Sequence, residues 1–346
     1  MRYQILGRTG LRVSQLVLGT GNFGTAWGHG APPHEARTIF ETYRAAGGNF
    51  IDTANIYQSG QSETLIGEFI ASERDDIIVA TKFGLGGDSG LGLQQSGNSR
   101  KALVQSVEAS LRRLATDRID LLWVHCPDGV TPIDEIARAL DTIVQSGKVL
   151  HVGLSNFPAW RIATAAAIAE FRGWAPVQVL QTEYSLVERT AERELMPMAS
   201  AFGLGVLGWS PLGGGLLTGK YRRGETGRKQ RLGIAFHDED DARTTSTLDT
   251  LLAVAAELEM LPAQVALAWV LDKAVLPLLG PRTAAQLTEN LQALDVRLDP
   301  QQVARLDAAS CSPSGTPHEK FARAAIADAV TGGLAASMIW PSMPLR

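Results

Sequence analysis

Ile77-Ile78-Val79-Ala80-Thr81-Lys82 is a run of β-branched and small apolar residues closed by a lysine. The same design recurs in Asn49-Phe50-Ile51-Asp52 and in Ile119-Asp120-Leu121-Leu122-Trp123-Val124-His125. Runs that are apolar nearly throughout, rather than alternating, suit strands buried on both faces. Each ends on a polar group, Asp52, Lys82 or His125, and Tyr57 follows shortly after Asp52. If the three runs are neighbouring parallel strands, their ends open onto one pocket where carboxylate, phenol, ammonium and imidazole converge. Such a set suits moving a proton to or from a carbonyl oxygen.

Working outward, short runs rich in Val, Ile and Leu recur near residues 16, 50, 78, 119, 149, 178, 204 and 275. Between them, segments 34–46, 62–72, 99–114, 132–146, 158–171, 190–201 and 262–271, the last preceded by 248–258, carry helical periodicity. Ser62 with Glu63 and Glu68, Ser99 before Arg100, and Thr283 ahead of Gln286, Glu289 and Asn290 read as helix starts. Parallel strands need crossovers, so regular strand–helix alternation predicts an α/β chain: a single (β/α)8 TIM barrel rather than an open doubly wound sheet. Ahead of it, residues 3–6, the turn Gly7-Arg8-Thr9-Gly10 and residues 11–13 predict an N-terminal β-hairpin that lids one barrel end. Residues 211–247, rich in Gly, Arg and Asp, read as one long loop after the seventh strand. One domain is expected over 1–346, with 311–346 as a C-terminal extension near the barrel mouth. That tail, with a helix expected around 318–329, would pack either across the pocket mouth or against the outer helices.

The 346 residues are 45% apolar and 20% charged, the composition of a globular protein with a large core. A net charge of −4, without a basic stripe, argues against a nucleic acid partner. Nowhere do eighteen apolar residues run together, and Met1-Arg2-Tyr3-Gln4-Ile5-Leu6-Gly7-Arg8 lacks an apolar leader, so a cytoplasmic chain without a membrane span is expected. Cys126 and Cys311 stand alone, so neither a disulfide nor a metal site is expected.

A free phenol titrates near pH 10, so Tyr57 can act as acid or base near neutrality only with positive charge beside it, and Lys82 is the obvious source. Asp52 would hold that lysine charged and in place, and His125 would orient or polarise a carbonyl. Taken singly, each residue has a plainer reading: a loop aromatic, an ion pair, an interior histidine. Their coincidence at three strand ends favours chemistry.

The chain resembles the aldo-keto reductase superfamily, in the bacterial oxidoreductase branch similar to the potassium-channel β subunits and aryl-alcohol dehydrogenases. The likeness rests on Gly48-Asn49-Phe50-Ile51-Asp52-Thr53-Ala54-Asn55-Ile56-Tyr57, Gly60-x-Ser62-Glu63, Ala80-Thr81-Lys82 and Asp120-Leu121-Leu122-x-x-His125. It continues through Gly147-Lys148-Val149-x-x-Val152-Gly153-Leu154-Ser155-Asn156, Trp209-Ser210-Pro211-Leu212-x-Gly214-Gly215 and Gly280-x-Arg282-x-x-x-Gln286-x-x-Glu289-Asn290. The resemblance implies a catalytic tetrad at Asp52, Tyr57, Lys82 and His125, and reversible reduction of aldehydes or ketones, sugar-type carbonyls included, by NADPH without a Rossmann domain. Ser155, Asn156 and Gln181 would hold the nicotinamide carboxamide and Trp209 would stack on the ring. Ser210, Pro211, Leu212, Gly214 and Lys220 would follow the pyrophosphate, Arg282 would meet the 2′-phosphate, and Gln286, Glu289 and Asn290 the adenosine end. Gly21, Asn22, Phe23 and Gly280 complete the implied cofactor set. A fork at Arg282 suits a dianionic phosphate that NAD lacks, so NADP(H) is expected over NAD(H). Arg228 and Arg231 read as a solvated charge run.

Two other classes bear weighing. A cofactor-sensing regulatory subunit with little turnover would share the motifs, and a metal-dependent barrel hydrolase would need more histidines or aspartates at strand ends. The partner expected is a small carbonyl or alcohol substrate. Its pocket would be walled by residues 21–27, by 84–98 and by the C-terminal tail, with Phe23, Trp27, Trp123 and Trp340 as candidate linings, each of which could equally be a core or loop anchor. The glycines between 84 and 97 suggest a loop that orders on substrate binding.

Overall fold

Tyr3–Ile5 (β1) and Arg12–Ser14 (β2) pair antiparallel, as the hairpin pattern requires. The apolar runs after them are strands: Val17–Gly19 (β3), Phe50–Asp52 (β4), Ile78–Phe83 (β5), Ile119–Val124 (β6), Val149–Ser155 (β7), Val177–Glu183 (β8), Gly205–Trp209 (β9) and Leu276–Leu279 (β10). In this computed structural model, which describes residues 1–86, 90, 92–225, 237–321 and 323–339, these eight close into a parallel barrel in the order β10-β3-β4-β5-β6-β7-β8-β9. Every residue of β5 and β6 is buried, which is why those runs do not alternate.

The return segments are helices. They are Pro33–Ala45 (α1), Gln61–Ile70 (α2), Arg100–Arg113 (α3), Ile133–Gln145 (α4), Ala159–Arg172 (α5), Leu195–Phe202 (α6), Ala242–Glu257 (α7), Pro262–Asp272 (α8), Ala284–Leu291 (α9) and Pro300–Ser310 (α10). Ser99 and Thr283 cap α3 and α9 as expected, accepting from the backbone N–H of Ala102 and Gln286. Among the described residues no single helix is long and apolar enough to cross a membrane.

Leu6 and Val13 of the hairpin are buried with Val17, Phe50, Ile78, Leu121, Trp123, Val179, Leu207 and Leu276, the plug inside the barrel. Gly7 lies so close to the Gln178 carbonyl and the Gly205 N–H that no Cβ fits there. Both neighbours belong to the starts of strands, so the hairpin stops the amino-terminal end and leaves the carboxyl ends of the strands as the mouth.

Several expectations need correction. Helix α2 starts at Gln61, within one residue of the start expected at Ser62, but Ser62 does not cap it: its hydroxyl turns inward onto Thr20 and Thr53, and left-handed Gly60 (φ 91°) precedes the helix. Residues 211–247 are not one loop. Gly213–Thr218 forms a 3-10 turn and α7 begins at Ala242, capped by Asp241; Arg228 and Arg231 lie outside the described residues. Helix α10 was not anticipated, although Asp299-Pro300-Gln301-Gln302 makes a capping box at its start. It packs on α7 through Leu306 beside Leu248 and Leu251, with Thr247 donating to the Ala309 carbonyl at 2.9 Å.

The one helix expected in the tail is two short ones, His318–Phe321 and Ala324–Val330. The beginning of the tail follows the segment entering α6, where Arg193 donates to the Pro313 carbonyl and His318 meets Glu194 at 2.9 Å. That segment follows the carboxyl end of β8, on the mouth side. Trp340 lies outside the described residues.

Candidate active site

Register brings the chemistry together. Asp52 ends β4, Lys82 stands near the end of β5, and His125 follows the last residue of β6. Tyr57 stands on a tight turn, Tyr57–Gly60, whose Gln58 and Ser59 are left-handed (φ 50° and 54°). Backbone held in that region by non-glycine residues is strained and persists only where its surroundings enforce it. The clamp here is fully buried Gln58, whose Oε1 accepts from the Trp27 N–H at 2.9 Å. Trp27 is thereby set edge-on to Tyr57, with ring centres 6.4 Å apart.

Lys82 Nζ donates to Asp52 Oδ1, to the Thr53 carbonyl at 3.0 Å and to the Tyr57 hydroxyl oxygen at 3.2 Å. Both charges are buried, Asp52 at 0% and Lys82 at 1% exposure, so neither is affordable without the other. Burial works against the ammonium, but Asp52, and then Tyr57, outweigh it, so the Lys82 pKa is raised and the side chain stays charged. His125 stands edge-on to Tyr57 with ring centres 6.0 Å apart. Burial, and then the charge of Lys82, push its pKa down to about 3, so the ring is neutral. Among the described residues its Nδ1 is buried without a hydrogen-bond partner.

On the adjoining arc of the rim, Asn156 donates to the His125 carbonyl (2.9 Å) and to Ser155 Oγ (3.0 Å), and accepts from Trp209 Nε1 (2.9 Å). The side chain therefore sets the edge of Trp209. Gln181 Nε2 donates to Asp52 Oδ2 at 3.0 Å. A carboxylate only accepts, so it is the amide nitrogen of Gln181 that meets Asp52.

After β9, left-handed Ser210 (φ 55°) leads past buried Pro211 and half-buried Leu212 into Gly213, Gly214 and Gly215, all at positive φ. A Cβ on Gly215 would come within 2.9 Å of Lys220 Nζ, so the bare glycine lets that ammonium lie along the turn. Past β10, Asn22 donates to the Gly280 carbonyl at 2.9 Å and bridges the barrel seam. The Arg282 N–H donates to Gln286 Oε1 at 2.9 Å, and exposed Glu289 and half-buried Asn290 follow on the same helix. Two cations, Lys220 and Arg282, thus stand on the β9 and β10 side of the mouth, and the donor set fits an extended anionic dinucleotide.

Not every expected residue faces the mouth. Gly21 does, its Cα side lying against the Tyr57 ring. Phe23 does not: its ring is fully buried in the layer between barrel and helices, 6.4 Å from Phe69, because its backbone turns inward to donate to Thr20. Trp123 is also fully buried, inside the barrel, and its N–H reaches Asp52 Oδ2 at 2.8 Å. Its placement two residues before His125 on one strand, hence on the same face, was the available signal. Gly19-Thr20-Gly21-Asn22-Phe23-Gly24 has the spacing of a dinucleotide fingerprint directly after the first barrel strand, where none was expected. It opens into a loop that runs to residue 32 rather than into a helix, and so lacks the helix N-terminus that such a fingerprint needs.

Comparison with known proteins agrees with this geometry. Oxidoreductase YrpG of Bacillus subtilis is 38% identical over 93% of this chain and 100% of its own length. Aldo-keto reductase ausK of Aspergillus calidoustus is 36% identical over 99% of this chain and 90% of its own. Aryl-alcohol dehydrogenase GME11368 of Pestalotiopsis microspora is 36% identical over 89% and 82%. The model of the aldo/keto reductase family matches residues 15–310. With a closed parallel barrel and a match over most of its length, the chain belongs to the aldo/keto reductase family.

Proposed function

We propose that this protein is an NADP(H)-dependent oxidoreductase that reduces aldehyde or ketone carbonyls to alcohols, reversibly, with Tyr57 as general acid and base. The observation that carries the reading is the buried chain from Asp52 through Lys82 Nζ to the Tyr57 oxygen, ending 3.2 Å from the phenol. A bound nicotinamide supplies the hydride. Tyr57 gives its proton to the carbonyl oxygen, and Lys82, fixed by Asp52, stabilises the phenolate that is left. Neutral His125 donates a ring N–H to the same oxygen and polarises it without adding a charge that would compete with Lys82. In the reverse direction Tyr57 takes the proton back.

Ser155, Asn156 and Gln181 would orient the carboxamide, and Trp209 would cover the ring. Lys220 and Arg282 would hold the phosphates, with the Arg282 fork favouring NADP(H) over NAD(H). Half-exposed Trp27, edge-on to Tyr57, offers a wall to a planar substrate, so aromatic aldehydes and ketones are the first to try.

Titration with NADPH and with NADH, followed by a panel of carbonyls and the loss of reduced-nicotinamide absorbance, tests the reading. Tyr57→Phe is expected to lower kcat by ~10²- to 10⁴-fold with NADPH affinity nearly unchanged. An unaltered kcat would remove Tyr57 from the chemistry. Tight nucleotide binding without turnover on any carbonyl would assign the chain to a cofactor-sensing subunit instead.

A further inference from the structure

Lys82 takes up only one of the two Asp52 oxygens. The other, Oδ2, accepts from Trp123 Nε1 at 2.8 Å and from Gln181 Nε2 at 3.0 Å. All three groups are sealed from solvent, with Asp52 and Trp123 at 0% and Gln181 at 3% exposure. An indole N–H can only donate, and buried in an apolar plug it would be costly without an acceptor. The carboxylate is the acceptor it finds. Barrel register builds the pairing: Lys82 and Trp123 are direct neighbours across β5 and β6, and Trp123 faces Gly153 on β7. A Cβ on Gly153 would clash with the indole atoms Cζ3 and Cε3, so the room for this tryptophan exists because that strand carries a glycine there.

We propose that Trp123 is a positioning residue for the reaction: its indole N–H fixes the Asp52 carboxylate, and through it the direction from which Lys82 meets the Tyr57 oxygen. Filling space would need only an apolar ring. A phenyl or isobutyl group would leave Oδ2 with Gln181 alone, and a carboxylate with fewer fixed donors can turn about its terminal torsion and carry Lys82 Nζ with it. Catalysis tolerates little of such drift.

The kinetic consequence rests on the reductase reading, so the test has one arm that needs turnover and one that does not. In the first arm, Trp123→Phe is expected to lower kcat roughly 10-fold while the KM for NADPH stays within about twofold. Combined with Asp52→Asn it should cost nothing beyond Asp52→Asn alone, because a residue that acts through Asp52 has no effect once the carboxylate is gone. A further 10-fold loss in the double variant would overturn the proposal and leave Trp123 a packing residue. The second arm serves also if Trp123→Phe does not fold. The intact protein is labelled with 15N-tryptophan, and among its seven indoles one N–H resonance is expected to shift and to exchange faster with solvent in Asp52→Asn. No such change would overturn the contact. Wild-type protein that binds NADPH without turnover would end the reductase reading, and the proposal would then be decided by that resonance.

Discussion

His125 carries its imidazole uncharged across the physiological range, because burial and Lys82 together push its pKa down to about 3. Unfolded, the same ring titrates near 6.5. Between those values the unfolded chain binds the extra proton, so stability falls as pH drops below about 6.5 and levels off near 3. Between pH 7.5 and 5.5 the loss from this one ring is expected to be about 1.4 kcal/mol. Urea unfolding at the two pH values, for wild type and His125→Gln, measures it; an equal loss in the variant would place the source elsewhere. Other residues of the mouth hold strained backbone: Gln58, Ser59, Asn156 and Ser210 are all left-handed without being glycine. Such conformations gather where side chains must be aimed rather than merely packed.

Among the elements, α2 shows how the wall behind Tyr57 is kept rigid. Glu63 is fully buried on this helix, accepting from Thr81 Oγ1 of β5 at 2.6 Å and pairing with Arg113 Nη2 of α3 at 2.6 Å. Arg113 itself is 30% exposed, so the pair is lopsided: water can serve the cation but not the anion. Arg113→Met is expected to destabilise by about 3 kcal/mol, since it strands a buried carboxylate, and Glu63→Gln by less, since it removes that charge. Thermal unfolding of the two variants checks the order; a loss under about 1 kcal/mol for Arg113→Met would show the pair to be screened like a surface one. Elements with strong local signals were legible in the chain, β5, β6 and the capped α3 above all. Helix α10 was not, although Asp299-Pro300 announces it, because its apolar stripe makes sense only against α7.

At the scale of the whole fold, closure leaves none of the eight barrel strands with a free edge, and the hairpin seals the end opposite the mouth. The described residues of 324–339 include none that is buried. Deletion of 324–346 is therefore expected to leave the unfolding free energy from urea titration within about 0.5 kcal/mol of wild type. A larger drop would show that the tail belongs to the folded unit. Alternating βα runs and polar groups at strand ends were enough to read a (β/α)8 barrel with Asp52, Tyr57, Lys82 and His125 at one mouth, because register and a period of two carry a side chain's face along a strand. Which groups meet across the barrel was not readable. That Trp123 and Gln181 converge on the second oxygen of Asp52, and that Phe23 turns into the core while Trp27 turns out, depend on neighbouring strands and on a strained turn. Sequence determined the kinds of group, the end of the barrel they occupy and the pairing of Lys82 with Asp52 and Tyr57. Only the tertiary structure decided the further partners, Trp123 and Gln181, because hydrogen-bond pairing inside a closed barrel is set by the register of several strands at once.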